Sequence, residues 1–123
     1  TSFVDLMDDN NIAVQFIAPV TVYDYHIPKA MIKLIREPSF QLSPANNESY
    51  QLRVTSFYKF ISDNNISSER VFYPHKIFCS ESECTYQKDG IPYYFDGGHL
   101  TLTGAEQLKP LFNEIAVQIG LRR

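Results

Sequence analysis

The stretch Ile12-Ala13-Val14-Gln15-Phe16-Ile17-Ala18-Pro19 decides how the rest of this 123-residue sequence is read. It is a short, nearly continuous apolar run closed by a proline. Such runs suit a strand buried on both faces, as in a parallel sheet. Before it, Phe3, Val4, Leu6 and Met7 precede the polar stop Asp8-Asp9-Asn10-Asn11, which reads as the tail of a helix begun earlier. After it, Pro19 to Pro44 is loop-rich, with a short helix predicted over Pro28–Arg36, where a proline fits the first turn. Tyr50, Val54, Phe57, Tyr58 and Ile61 recur at helical spacing and predict one amphipathic helix from Glu48 to Asn64. Arg70-Val71-Phe72-Tyr73 predicts a second short strand, ended by Pro74.

The last helix has the fullest signature. Thr103 with Glu106 three residues on matches a capping box. Leu108, Leu111, Phe112, Ile115 and Ile119 make one apolar stripe. Pro110 should kink or restart this helix, and Gly120 should stop it. Helices alternating with buried strands indicate an α/β layered fold. No linker or repeat divides residues 1–123, which read as a single domain.

Composition narrows the function classes. With 44% hydrophobic and 20% charged residues the chain is globular in type. The net charge of −3 gives no electrostatic case for a nucleic-acid partner, and the basic residues are scattered apart from Arg122-Arg123. No apolar run approaches the ~20 residues of a membrane helix. A start at Thr1 without a basic leader reads as an excised piece, with targeting or membrane segments expected upstream. No cofactor or metal is expected, since His26 and His75 have no neighbouring ligand cluster. Cys79 and Cys84 enclose Ser80-Glu81-Ser82-Glu83, a spacing unlike the CxxC redox motif. They either close a small ring in an oxidising compartment or remain two free thiols. A ring this short would stabilise at the low end of ~2–4 kcal/mol.

Chemistry concentrates in Tyr94-Phe95-Asp96-Gly97-Gly98-His99-Leu100-Thr101-Leu102-Thr103-Gly104-Ala105. If the chain bends tightly, the Asp96 carboxylate turns back onto His99. Gly97 and Gly98 permit such a bend, because glycine tolerates positive φ. Asp96 then accepts from Nδ1 of His99, which fixes the tautomer and leaves Nε2 as a general base. Alone, an Asp-x-x-His pair more often marks a solvent-facing aspartate beside a satisfied histidine.

The longer string Tyr93-Tyr94-Phe95-Asp96-Gly97-Gly98-His99-Leu100-Thr101-Leu102-Thr103-Gly104-Ala105-Glu106 closely resembles the last block of the SGNH (GDSL-like) hydrolase superfamily. It is nearest the SGNH domains fused to bacterial membrane O-acyltransferases that acylate surface polysaccharide or lipopolysaccharide. The Cys79–Cys84 pair and Phe16-Ile17-Ala18-Pro19 look like that branch too. The resemblance covers most of the chain loosely and residues 79–112 specifically. It implies a three-layer α/β/α sandwich with a parallel sheet (SGNH/flavodoxin-like), of which this chain is the C-terminal half. It further implies His99 as catalytic base, Asp96 as its orienting partner, and turn-shaping roles for Thr101 and Thr103. The implied activity is movement of an acyl group, expected to be acetyl, to or from carbohydrate hydroxyls. The implied setting is the periplasmic domain of an inner-membrane protein, with a carbohydrate or lipopolysaccharide acceptor, an acyl donor and a membrane acyltransferase domain as partners.

Two departures from that pattern stand out. The family's Gly-Asp-Ser nucleophile block is missing, and all five glycines lie at or after Gly90, so no oxyanion glycine can be placed. Ser39, Ser43, Ser56, Ser62 and Ser67-Ser68 read as caps or surface residues. The serine nucleophile is therefore expected upstream of Thr1, and the chain alone is expected to be inactive. A half-sheet would leave an open strand edge, through which a homodimer is expected. The alternative is a non-catalytic carbohydrate-binding or interaction module using Tyr23, Tyr25, Tyr73, Tyr93 and Tyr94 as stacking faces.

Overall fold

Strand β1 (Phe16–Ile17) lies parallel to β2 (Val71–Phe72), with Phe16 opposite Val71 and Ile17 opposite Phe72. This is a computed structural model describing residues 2–42 and 47–120. Thr1, Ser43, Pro44 and the Arg122-Arg123 pair lie outside the described residues. The ladder is extended by the Ala18 amide donating to the Phe72 carbonyl at 2.8 Å. Arg70 adds a guanidinium bond to the Val14 carbonyl at 3.2 Å. Parallel strands cannot be joined by a tight turn. Here the crossover holds α2 (Ile27–Arg36), α3 (Asn47–Arg53) and α4 (Thr55–Asp63). The predicted α/β class with a parallel sheet is thus present.

Burial of β1 on both faces is not. Ala18 is buried, but Ile12 and Ile17 are 50% and 46% exposed. Among the described residues β1 pairs with β2 alone, and two strands are too narrow to cover both faces of either.

Three helix expectations need correction. Residues 2–9 are not a helix tail: α1 (Phe3–Asp9) starts at Ser2, whose hydroxyl accepts from the Asp5 amide while Asp5 accepts from the Ser2 amide. That reciprocal pair is a complete capping box. The single helix predicted over 48–64 is broken at Val54 into α3 and α4. There the Thr55 hydroxyl donates back to the Gln51 and Leu52 carbonyls at 3.2 and 3.0 Å, competing with the helical ladder. Tyr50 on α3 is buried, and its hydroxyl donates to the Pro19 carbonyl at 2.5 Å, tying α3 to the end of β1. Third, Thr103 does not cap the last helical region; Thr101 does.

Pro74 ends β2 and opens α5 (His75–Phe78). Cys79 and Cys84 follow, joined by a disulfide. The hairpin β3 (Gln87–Lys88) and β4 (Ile91–Pro92) turns at Asp89-Gly90, with φ of 52° and 81°. Two consecutive positive-φ residues suit a two-residue hairpin, and Asp-Gly supplies them at low cost. Beyond the site, Pro110 starts a new helix as expected: α6 (Leu102–Glu106) gives way to α7 (Lys109–Gln118), with the proline in its first turn. Gly120 ends α7 with φ of 75°. Leu108 and Leu111 are buried, whereas Phe112 is exposed, so only part of the apolar stripe packs inward. The core gathers Tyr23, Ile27, Phe78, Cys84, Tyr93, Tyr94 and Leu108 directly beneath residues 93–104.

Candidate active site

The segment before the Asp96–His99 turn is fixed to the helix after it through one threonine. The Thr101 amide donates to the Tyr93 carbonyl at 2.8 Å, and its hydroxyl donates to the Pro92 carbonyl at 2.7 Å. The same hydroxyl accepts from the Gly104 amide at 3.1 Å, capping α6. A threonine at 103 has the local capping signature but no such anchors, which is why the helix begins two residues earlier. The close return of the chain leaves no room at position 104. A β-carbon there would sit 2.2 Å from the Tyr93 carbonyl oxygen.

Between these anchors the chain makes a narrow loop. The Phe95 amide donates to the His99 carbonyl at 3.0 Å. The loop is also sewn to the body: the Tyr23 amide donates to the Gly97 carbonyl at 2.7 Å and the Ile27 amide to the Asp96 carbonyl at 3.3 Å. Gly97 and Gly98 do permit the turn, though not through positive φ, which among glycines of the described residues is confined to Gly90 and Gly120. Gly97 is needed for approach. A β-carbon there would lie 2.7 Å from the Tyr23 carbonyl oxygen and 3.0 Å from that of Tyr25.

Within the loop the Asp96 carboxylate is fully used. One oxygen accepts from the Gly98 and His99 amides, both at 2.7 Å. The other meets Nδ1 of His99 at 2.7 Å. The two backbone donors, Gly98 first, hold the Asp96 carboxyl down at about 2, outweighing its partial desolvation. Asp96 is therefore an anion at any pH where histidine titrates. An anionic acceptor at Nδ1 selects the tautomer with Nε2 unprotonated and pointing away. The His99 side chain is 76% exposed. Its ring is stacked on Phe95 with centroids 5.6 Å apart and planes at 20°. The unit is an imidazole oriented by a carboxylate at Nδ1, with its side chain largely open to solvent.

The other sequence candidates fall elsewhere. His26 caps α2 through Nδ1, which accepts from the Lys29 amide at 3.4 Å. His75 is buried and stacked on Tyr50 with centroids 3.7 Å apart. Among the described residues no group of three or more His, Cys, Asp or Glu side chains is placed to hold a metal. No serine hydroxyl of the described residues bonds to His99, and Ser67 caps a short turn before β2. Tyr23, Tyr93 and Tyr94 are buried, and Tyr25 and Tyr73 half-buried, so the tyrosines named as possible stacking faces are mostly core. Sequence reasoning missed the parts played by Phe95, the Asp89-Gly90 hairpin turn and Tyr23. The Asp-Gly dipeptide was a usable signal for the second; the others depend on contacts distant along the chain.

Comparison with known proteins gives two findings. The family model of the SGNH domain (fused to AT3 domains) matches residues 2–114. The solved periplasmic domain of a Salmonella ser. Paratyphi A lipopolysaccharide acetyltransferase superposes with a TM-score of 0.59 and 20% identity. That superposition covers 85% of this chain and 42% of the other. The chain thus spans less than half of that domain, and at this identity the likeness is one of fold. No curated protein matches the sequence.

Proposed function

We propose, from the premise that this chain belongs to the SGNH domains fused to AT3 domains, that His99 is the base of a Ser-His-Asp acyl-transfer site and Asp96 the carboxylate that orients it. The serine belongs to a part of the domain outside residues 1–123. The observation that carries this reading is the 2.7 Å contact between Asp96 and Nδ1 of His99, in a side chain largely open to solvent. In the complete site Nε2 takes the proton from the serine hydroxyl as it attacks the acyl donor. The carboxylate stabilises the imidazolium that forms. His99 gives this proton to the leaving group of the acyl donor; a sugar hydroxyl then attacks the acyl-serine, its proton passing to Nε2 and on to the departing serine oxygen. We read the acyl group as acetyl and the acceptor as a surface carbohydrate or lipopolysaccharide. The neighbouring domain would be the AT3 membrane acyltransferase, with the site on the periplasmic side of the bilayer. Among the described residues no helix is long and apolar enough to cross a membrane.

The test is aryl-acetate hydrolysis by the natural protein extended upstream of Thr1, beside its His99→Ala variant. Loss of nearly all turnover in the variant, with folding intact by circular dichroism, supports the reading. Equal rates in the two proteins would remove His99 from the chemistry. The 123-residue chain alone should show no turnover above buffer.

A further inference from the structure

Helix α2 packs on the core through Ile27 and Ala30, with Met31 half-buried beside them. Its opposite side is solvent-exposed. Lys29, Lys33 and Arg36, at spacings of four and three, bring three cations onto one face. Lys33 also lies over the Phe40 ring at 4.3 Å. Along the flank of that face Ile32 and Ile35 are 50% and 81% exposed. The groups form a shallow open depression of about 350 Å³ lined by Lys29, Ile32, Lys33, Arg36 and Glu37.

Three of the chain's 11 basic residues thus share one exposed helix face, on a chain of net charge −3. Exposed isoleucines beside them are not explained by charge at all. The combination suits one kind of surface, which offers anionic groups in a plane above a layer that accepts short apolar side chains. We propose that the outer face of α2 docks on an anionic phospholipid surface, with Lys29, Lys33 and Arg36 at the headgroups and Ile32 and Ile35 dipping below them. Glu37, at one end of the depression, limits the basic patch to about two turns of helix. The docking would also orient the candidate site, because the first residue of α2, Ile27, is bonded to the Asp96 carbonyl at 3.3 Å. The proposal goes beyond acyl transfer and stands or falls separately from it.

The experiment is co-sedimentation of the 123-residue chain with phosphatidylcholine vesicles, with and without phosphatidylglycerol. Binding should require the anionic lipid and weaken with salt. The triple variant Lys29→Gln, Lys33→Gln, Arg36→Gln should lose on the order of 100-fold in partitioning, at roughly fivefold per cation. Ile32→Ser with Ile35→Ser should also weaken vesicle binding, while leaving binding to soluble heparin unchanged. Vesicle binding that ignores the triple variant, or no binding to either vesicle by folded protein, overturns the proposal. So does binding lost with the cations but indifferent to the isoleucines, which would assign the face to a soluble polyanion.

Discussion

Two histidines divide this molecule into regions with opposite logic. His99 stands 76% exposed on a loop of the 92–104 segment, held by a carboxylate that spends all its acceptor capacity locally. His75 lies 1% exposed at the start of α5, face to face with Tyr50 and edge-on to Tyr73. Around His99 the polar bonds are dense and short-range, and the side chain is left open to act. Around His75 the ring is used as a packing surface, and burial, with Lys76 nearby, pushes its pKa down to about 4. One histidine is oriented and accessible; the other is neutral and enclosed. The difference shows that the residue type alone assigns no role. Orientation by an anion together with exposure is what sets His99 apart from His75.

The comparison breaks most visibly if the carboxylate is not what makes His99 special. Asp96→Asn keeps the size of the side chain but offers Nδ1 an amide in place of an anion. In the upstream-extended protein, aryl-acetate turnover should fall by roughly 10⁴, the scale expected when the wrong tautomer is held. A drop under tenfold would place the catalytic base elsewhere. Next in size is the backbone that shapes the loop. Gly104→Ala drives a β-carbon into the Tyr93 carbonyl, a rigid group with no rotamer to change. We expect a loss of about 3 kcal/mol in urea unfolding, whereas Ala at Gly90, where nothing lies within 4 Å, costs only the strain of positive φ. Equal losses at the two positions would show that the return of the chain at residue 104 is looser than described.

Acid separates the two regions by pH window. His75 has a folded pKa of about 4 against 6.5 in the unfolded chain. Below 6.5 the unfolded state binds more protons, so stability falls as pH drops from 6.5 toward 4 and levels off below that. The full span amounts to on the order of 3 kcal/mol. Asp96 acts in the same direction but in a lower window: its folded pKa, about 2, is below the ordinary 3.8. Its contribution is intact above 3.8 and is lost as pH falls through 2. His75→Phe preserves a ring against Tyr50, so the measured quantity is the slope of stability between pH 6.5 and 4, which should flatten. An unchanged slope would mean that His75 stays protonated inside the fold.

Much of this division was legible in the sequence, for identifiable reasons. The Asp96–His99 contact depends on residues three apart across two glycines, so a local reading suffices. The restart at Pro110 and the stop at Gly120 are likewise properties of single residues. Both strands of the parallel pair were read from short stretches of their own sequence, and the parallel sheet from their alternation with helices, whereas their pairing is a finding of the structure. What failed depended on distant partners. Thr101 displaced Thr103 as the cap because Pro92 and Tyr93 supply its anchors. Ile17 is exposed because burial of a strand is set by how many neighbours it has, which its own sequence does not state. The break at Val54 arose from a side-chain bond that periodicity ignores.

The smallest effect probes whether exposure leaves His99 free or only accessible. Phe95 is 57% exposed, an uncommon state for a phenylalanine, and its ring covers one face of the imidazole. Asp96 fixes where Nδ1 points, and the Phe95 ring lies beside the imidazole on one side. Removing it in Phe95→Ala should leave Asp96 and the loop backbone in place, since none of their hydrogen bonds uses the phenyl group. We therefore expect unchanged unfolding stability and a turnover number lower by about threefold to tenfold, corresponding to a stacking contribution of about 1 kcal/mol. Phe95→Tyr should restore the rate because it restores the ring face. If Phe95→Ala instead raises KM with turnover unchanged, the ring binds substrate and the carboxylate alone orients His99. The contrast between the two histidines would then narrow to a single interaction, the 2.7 Å contact with Asp96.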